Sequence, residues 1–100
     1  MDVEYELRGI RFRWDQDKAT RNIAKHGISL EQAAQIFFDP FVRYWDAADK
    51  GETRDAALGA DFEYRVLFVA HIMVEEDRIR IISARKAETP ERLRYEDGND

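Results

Sequence analysis

Ile10-Arg11-Phe12-Arg13-Trp14 alternates apolar and basic residues without a break. That period of two predicts a half-buried strand, with Ile10, Phe12 and Trp14 inward and Arg11 and Arg13 outward. Met1 to Arg8 alternates only weakly and is cut off from this run by Gly9, so residues 1-9 are expected to fray. After Trp14 the period lengthens. Asp15 offers an N-cap and Asp17 an acid for the first turn. Ala19, Ile23 and Ala24 supply the apolar stripe, Lys25-His26 a basic last turn, and Gly27 the left-handed terminator. These predict one short helix over Asp15 to His26. Ser29-Leu30-Glu31-Gln32 has capping-box form, with Gln32 reaching back to Ser29. Leu30, Ala33, Ala34, Phe37 and Phe38 give that helix its buried stripe, and Asp39-Pro40 stops it. Two helices around one glycine make a helical hairpin.

The second half reads as strands. Phe41 to Trp45 is one, Asp46 to Thr53 with Gly51 an acidic turn, and Arg54 to Leu58 a weaker strand closed by Gly59. Glu63 to Met73 is the most apolar run and is expected in the sheet interior. Arg65, Leu67, Val69 and His71 would share one face, and Tyr64, Val66, Phe68 and Ala70 the other. Glu75-Glu76-Asp77 turns into a further strand reaching Lys86. Apolar residues on both its faces make that strand central, and strict alternation puts Arg80 and Arg85 near opposite ends on opposite faces. Thr89 as N-cap and Pro90 at the first helical position open a last helix to about Tyr95, after which residues 96-100 are expected to fray. Short links favour antiparallel hairpins. The expected fold class is therefore α+β, one domain over 1-100: an antiparallel sheet, a two-helix hairpin packed on it, and a short C-terminal helix.

Composition narrows the function. With 44% hydrophobic residues the chain can bury a core despite 37% charge. The absence of cysteine excludes a disulfide, a thiolate metal site and a cysteine nucleophile, and two histidines argue against a His-rich metal site, so neither cofactor nor metal is expected. No run is long and apolar enough to span a bilayer, and Met1-Asp2-Val3-Glu4 lacks a basic leader, so a soluble cytoplasmic protein with no membrane partner is expected. The net charge of -5 argues against a general nucleic-acid coat. Yet bases concentrate in Arg11 to Lys25 and in Arg78 to Arg94, and a fold that joins these segments would carry one basic face.

Several spaced pieces make a larger signature: Trp14-Asp15, Lys18-Ala19, Asn22, Lys25-His26-Gly27-Ile28, Phe38-Asp39-Pro40, Gly51-Glu52-x-Arg54, Gly59, Arg65, and Arg80-Ile81-Ile82-Ser83-Ala84-Arg85. In this order and spacing the chain, from about Phe12 to Glu96, resembles the BrnT family of type II toxins. The resemblance implies a RelE-like ribonuclease fold and a toxin that cleaves RNA and halts translation. It implies a BrnA-type antitoxin partner with a ribbon-helix-helix part, through which alone the complex would meet operator DNA. It also implies a residue set, which falls here on Lys25, His26, Glu52, Arg54, Arg65, Arg80 and Arg85. Asp55 after Arg54, and His71-Ile72-Met73 where polar turn residues are more common, depart from the family's usual pattern.

These side chains suit RNA cleavage in which the 2'-hydroxyl attacks the neighbouring phosphate, a reaction that needs no metal in principle. Arginines stabilise the crowded phosphate oxygens with two-pronged hydrogen bonds. His26 titrates near neutrality and can act as acid or base; it serves equally well as the cation ending a helix. Glu52 is the alternative base, or a member of a solvated turn. Arg65 on an apolar strand needs a partner, which could be RNA, Glu52 or another acid. His71 reads as a satisfied strand residue, Lys18 and Arg21 as solvated helix charges. Trp14, Trp45 and Phe12 are expected in the core rather than stacked on bases. A second reading, from the acidic net charge, is a non-catalytic module that mainly holds the antitoxin in an autorepressor complex. No base-rich recognition helix favours a plain DNA-binding domain.

Overall fold

A computed structural model describes residues 1–46 and 54–97. The chain runs β1 (Asp2–Leu7), β2 (Ile10–Asp15), α1 (Gln16–His26), α2 (Leu30–Ala34), a 3₁₀ turn (Gln35–Phe38), β3 (Arg43–Asp46), β4 (Asp55–Ala60), β5 (Val66–Glu75), β6 (Arg78–Lys86) and α3 (Thr89–Asp97). The six strands form one sheet in the order β1-β2-β6-β5-β4-β3. Neighbours are antiparallel except β2 and β6, which run parallel with Arg11 beside Arg78 and Arg13 beside Arg80. The expected all-antiparallel sheet is corrected at this one pair. Hairpin logic from short links speaks only of neighbours in sequence, and β6 enters beside a strand laid down much earlier.

The N-terminal residues do not fray. Asp2–Leu7 pairs along its whole length with β2, and its Val3, Tyr5 and Leu7 pack on the core. Arg8 and Gly9 both take positive φ (51° and 86°), which makes the link a two-residue turn whose twist matches a hairpin. Gly9 is thus the hinge of a strand pair rather than a break.

The local signals around α1 and α2 act as read. The Asp15 carboxylate accepts from the Lys18 N–H, and Gly27, at φ 70°, donates its N–H to the Ile23 carbonyl. The Ser29 hydroxyl accepts from the Gln32 N–H. The Gln32 side chain does not reach back to Ser29; its amide donates instead to Asp61, at 2.9 Å. The second helix is shorter than its apolar stripe implied, tightening to a 3₁₀ turn after Ala34.

α1, α2 and the 3₁₀ turn cover the inner sheet face, and the core lies between: Phe12, Trp14, Ile28, Leu30, Ile36, Leu67, Val69 and Ile81 are all almost fully buried. Phe12 and Trp14 are core residues, as expected. α3 packs on the outer face, where Tyr95 donates to Asp39 at 2.5 Å and the Arg94 guanidinium lies 5.0 Å from the Trp45 ring centre.

Candidate active site

Alternation alone separates Arg80 and Arg85; the structure puts both on the outer face. In β5, Ala70 pairs with Ser83 and His71 with Ile81, so Ile82 has no opposite number. That extra residue is a bulge, and it resets the side-chain alternation midway along β6. Ile79, Ile81 and Ala84 stay buried on the inner face, while Arg80 lies beside Ile72 and Arg85 beside Phe68. Asp55 pairs with His71. Arg54 immediately precedes β4; the same register run on by one residue would set it beside Ile72 on the outer face, two strand spacings or about 10 Å from Arg80. Between the Arg54–Ile72–Arg80 row and the Phe68–Arg85 row, the facing residues are small: Ala56, Ala70 and Ser83. The Arg85 guanidinium lies 4.3 Å from the centre of the Phe68 ring, which in turn meets Trp45 edge-on at 5.7 Å.

The end of α1 meets the same strand from the side. β2 leaves the sheet at Asp15, so β6 beyond Arg80 has no strand next to it there. The amide of buried Asn22 takes that place: its nitrogen donates to the carbonyls of Ala84 and Ile28, both at 2.8 Å, and its oxygen accepts the Ala84 N–H at 3.1 Å. One turn on, Lys25 and His26 line a shallow hollow with Lys18, Arg21, Ile82 and Ser83. The basic end of the helix therefore abuts the bulge, between Arg80 and Arg85 in sequence. Lys25 is exposed and His26 half-buried.

Carboxylates of the same chain already sit on these guanidinium groups. Arg80 makes a two-pronged contact with Asp2, at 3.1 and 3.2 Å. Arg85 makes another with Glu91 of α3, at 2.8 and 2.9 Å. The hydrogen bonds from Arg85 hold the Glu91 carboxyl below its ordinary range, against the opposing effect of burial.

Two candidates stand apart. Arg65 was expected on the interior strand, but the strand begins at Val66 and Arg65 closes a turn organised by Asp61. Asp61 is buried and accepts from the backbones of Glu63 and Arg65, the Gln32 amide and the Arg65 Nε. Burial alone would raise its carboxyl; the bonds from Arg65, Gln32 and Glu63 outweigh burial and hold it low. The Arg65 side chain is 44% exposed, which corrects the expectation of a buried cation, and its partners are Asp61 and Glu63. Glu52 and the rest of the acidic turn after Asp46 lie outside the described residues. The structure thus brings Lys25 and His26 to the bulge between Arg80 and Arg85, sets Arg54 just ahead of β4, and leaves Arg65 in the turn before β5, beside Lys86 and Arg92. Glu91 and Phe68 were not singled out in the sequence; a bidentate partner and a stacking ring become visible only with the strand register. Nor is His71 the satisfied strand residue expected. It is fully buried between Phe37 and Tyr44, and neither ring nitrogen has a hydrogen-bond partner among the described residues. Among the described residues no group of three His, Asp or Glu side chains is placed to hold a metal ion.

The family described as the ribonuclease toxin, BrnT, of type II toxin-antitoxin systems matches residues 14–91. The chain belongs to the BrnT family. The crystal structure of the Brucella abortus ribonuclease toxin BrnT superposes with a TM-score of 0.59 and 23% sequence identity, over 76% of this chain and 94% of that one. At that identity the likeness speaks for the fold: a mixed α+β domain of the BrnT kind. A comparison with curated proteins finds no match. The BrnT match contains every candidate site residue and excludes β1 and all of β2 before Trp14. Among the described residues no helix is long and apolar enough to cross a membrane.

Proposed function

We propose that this BrnT-family chain is an endoribonuclease toxin that cleaves RNA without a metal, on the outer face of its sheet beside the β6 bulge, in a RelE-like arrangement. The 2'-oxygen attacks the adjacent phosphorus, and the bond from phosphorus to the 5'-oxygen breaks. The products are a cyclic phosphate and a free 5'-hydroxyl. Arg54, Arg80 and Arg85 bind the non-bridging phosphate oxygens, whose charge grows in the transition state. His26 and Glu52 are the candidates to take the 2'-hydroxyl proton and return one to the leaving oxygen, with Lys25 as a further cation at the same edge. Arg65 we assign to the Asp61 turn instead. Loss of intact RNA would stop translation. A BrnA-type ribbon-helix-helix antitoxin would neutralise the toxin by laying its own acidic groups over this face, and would carry the complex to operator DNA.

The observation that carries the reading is the bulge itself, because it alone brings Arg80 and Arg85 to one face with the end of α1 alongside. The test is cleavage of single-stranded RNA in excess chelator. Arg80→Ala and Arg85→Ala should each lower the rate by about 100-fold or more while the far-UV spectrum is kept. Undiminished cleavage by a folded variant lacking Lys25, His26, Arg54, Arg80 and Arg85 together would sink the assignment.

One observation favours a second reading. Arg80 and Arg85 are each engaged by a carboxylate of their own chain, as in a protein-binding module that holds an antitoxin without catalysis. Expression without a partner separates the two. Growth arrest with falling RNA integrity supports the enzyme; harmless expression supports the module.

A further inference from the structure

Two pairs of arginines stand side by side on the outer face where β2 and β6 run parallel. Arg11 neighbours Arg78, and Arg13 neighbours Arg80. Adjacent strands lie about 4.8 Å apart, and every second residue along a strand is about 6.6 Å on. Four guanidinium stems therefore rise from a patch smaller than a nucleotide is long. Like charges held so closely repel one another, and a soluble chain has no packing reason to set arginine against arginine twice on an exposed face. Three of the four are balanced by exposed carboxylates: Arg13 by Glu4 at 2.5 Å, Arg78 by Glu75 at 3.1 Å, and Arg80 by Asp2. Arg11 has Glu6 opposite it in register and no ion pair among the described residues. Pairs this exposed are weak, so a polyanion can displace their acids at little cost.

Asp2, Glu4 and Glu6 all stand on the outer face of β1, since Val3, Tyr5 and Leu7 turn inward. Arg11, Arg13 and all of β1 lie outside the residues matched by the family. We infer that the square of Arg11, Arg13, Arg78 and Arg80 is a docking track for the phosphate backbone of single-stranded RNA, leading into the site at its shared corner Arg80, and that the acidic row of β1 sets its strength. This rests on the RNA-cleaving reading above. Phosphates laid across the square would replace the β1 carboxylates on the arginines, and the strand would continue along the sheet toward Arg54 and Arg85. A flat, open face with cations in two directions suits an unpaired backbone, which bends to follow it.

The test separates binding from cleavage by using a fluorescent 12-residue RNA with every 2'-hydroxyl methylated, which has no attacking group. Binding is followed by anisotropy at several salt concentrations. The double variant Arg11→Ala/Arg78→Ala should bind about tenfold more weakly at low salt, with a salt slope shallower by about 1.4, as expected for two lost phosphate contacts. The opposite variant, Glu4→Gln/Glu6→Gln, should bind about three- to tenfold more tightly, and it carries the test alone if the arginine variant does not fold. Unchanged affinity in the charge-removing variants, or no binding by the wild type at low salt, overturns the track. Binding that follows these changes in a wild type unable to cleave ordinary RNA would keep the track and overturn the catalytic reading instead.

Discussion

Replacing Asn22 tests how the site is held together. Its side chain serves as a missing strand for β6, satisfying both the N–H and the carbonyl of Ala84 and also the carbonyl of Ile28. Leucine fills similar space, but Asn22→Leu leaves all three groups buried and unpaired. Each costs about 1 to 3 kcal/mol. They share one neighbourhood, so their costs do not simply add. The expected loss is about 3 to 5 kcal/mol, a large part of the roughly 5 to 15 kcal/mol that holds a domain together. Urea unfolding followed by circular dichroism measures it, with the midpoint falling and the slope unchanged. Asn22→Asp gives a sharper control, because it keeps the acceptor and loses the donors. A carboxylate facing two carbonyls prefers its protonated form, so its folded pKa would rise above the unfolded value. Its stability relative to wild type should recover as pH falls from 7 toward 4. A loss under about 1 kcal/mol for the leucine variant would refute the claim that this amide anchors α1 to β6.

Two further predictions concern groups outside the site. Burial holds the His71 ring below its ordinary value of 6.5, so the folded chain keeps it neutral while the unfolded chain takes up a proton. Its share of stability is therefore complete above that value and drains away as pH falls through it; His71→Leu should lessen the loss in melting temperature between pH 7.5 and 5.5, and an equal loss in both proteins would contradict this. Arg65→Ala removes two contacts from the Asp61 turn, one of them to an exposed acid, and should cost about 1 kcal/mol in urea unfolding. Because the Asp61 carboxyl is held low, its stabilising share is present above its ordinary value of 3.8 and lost below it, so acid should bring variant and wild type closer together.

Local chemistry was readable along the chain wherever one residue decides one bond. Asp15, Gly27 and Ser29 perform the capping roles their types and positions indicate. The alternation of β2 places Phe12 and Trp14 in the core. What escaped depends on partners distant in sequence. Periodicity within β6 cannot show that Ile82 lacks a mate, because the mate would lie on β5. The faces of Arg80 and Arg85 were therefore misjudged by one residue. β1 was missed because a weak alternation gains its meaning only from the strand it pairs with. Arg65 looked like part of an apolar strand, and only the fold reveals the buried Asp61 that bends the chain just before it. The family signature supplied the candidate site residues, but gave no sign that Arg80 and Arg85 would each be occupied by an acid of the same molecule.

The parallel contact of β2 with β6 has a bearing on synthesis. The middle strand of the sheet is the last one made, joined to α1 by a contact reaching back 62 residues. Until Arg78 to Lys86 have emerged, the sheet consists of an N-terminal hairpin and a three-stranded meander with an open slot between them, both facing the helical segment. The three arginines of β6, Arg78, Arg80 and Arg85, enter only when that final strand slides into the gap. A product broken off before this point holds none of the assembled cationic face, and every complete molecule acquires it in a single late step, slow because so long a loop must close first.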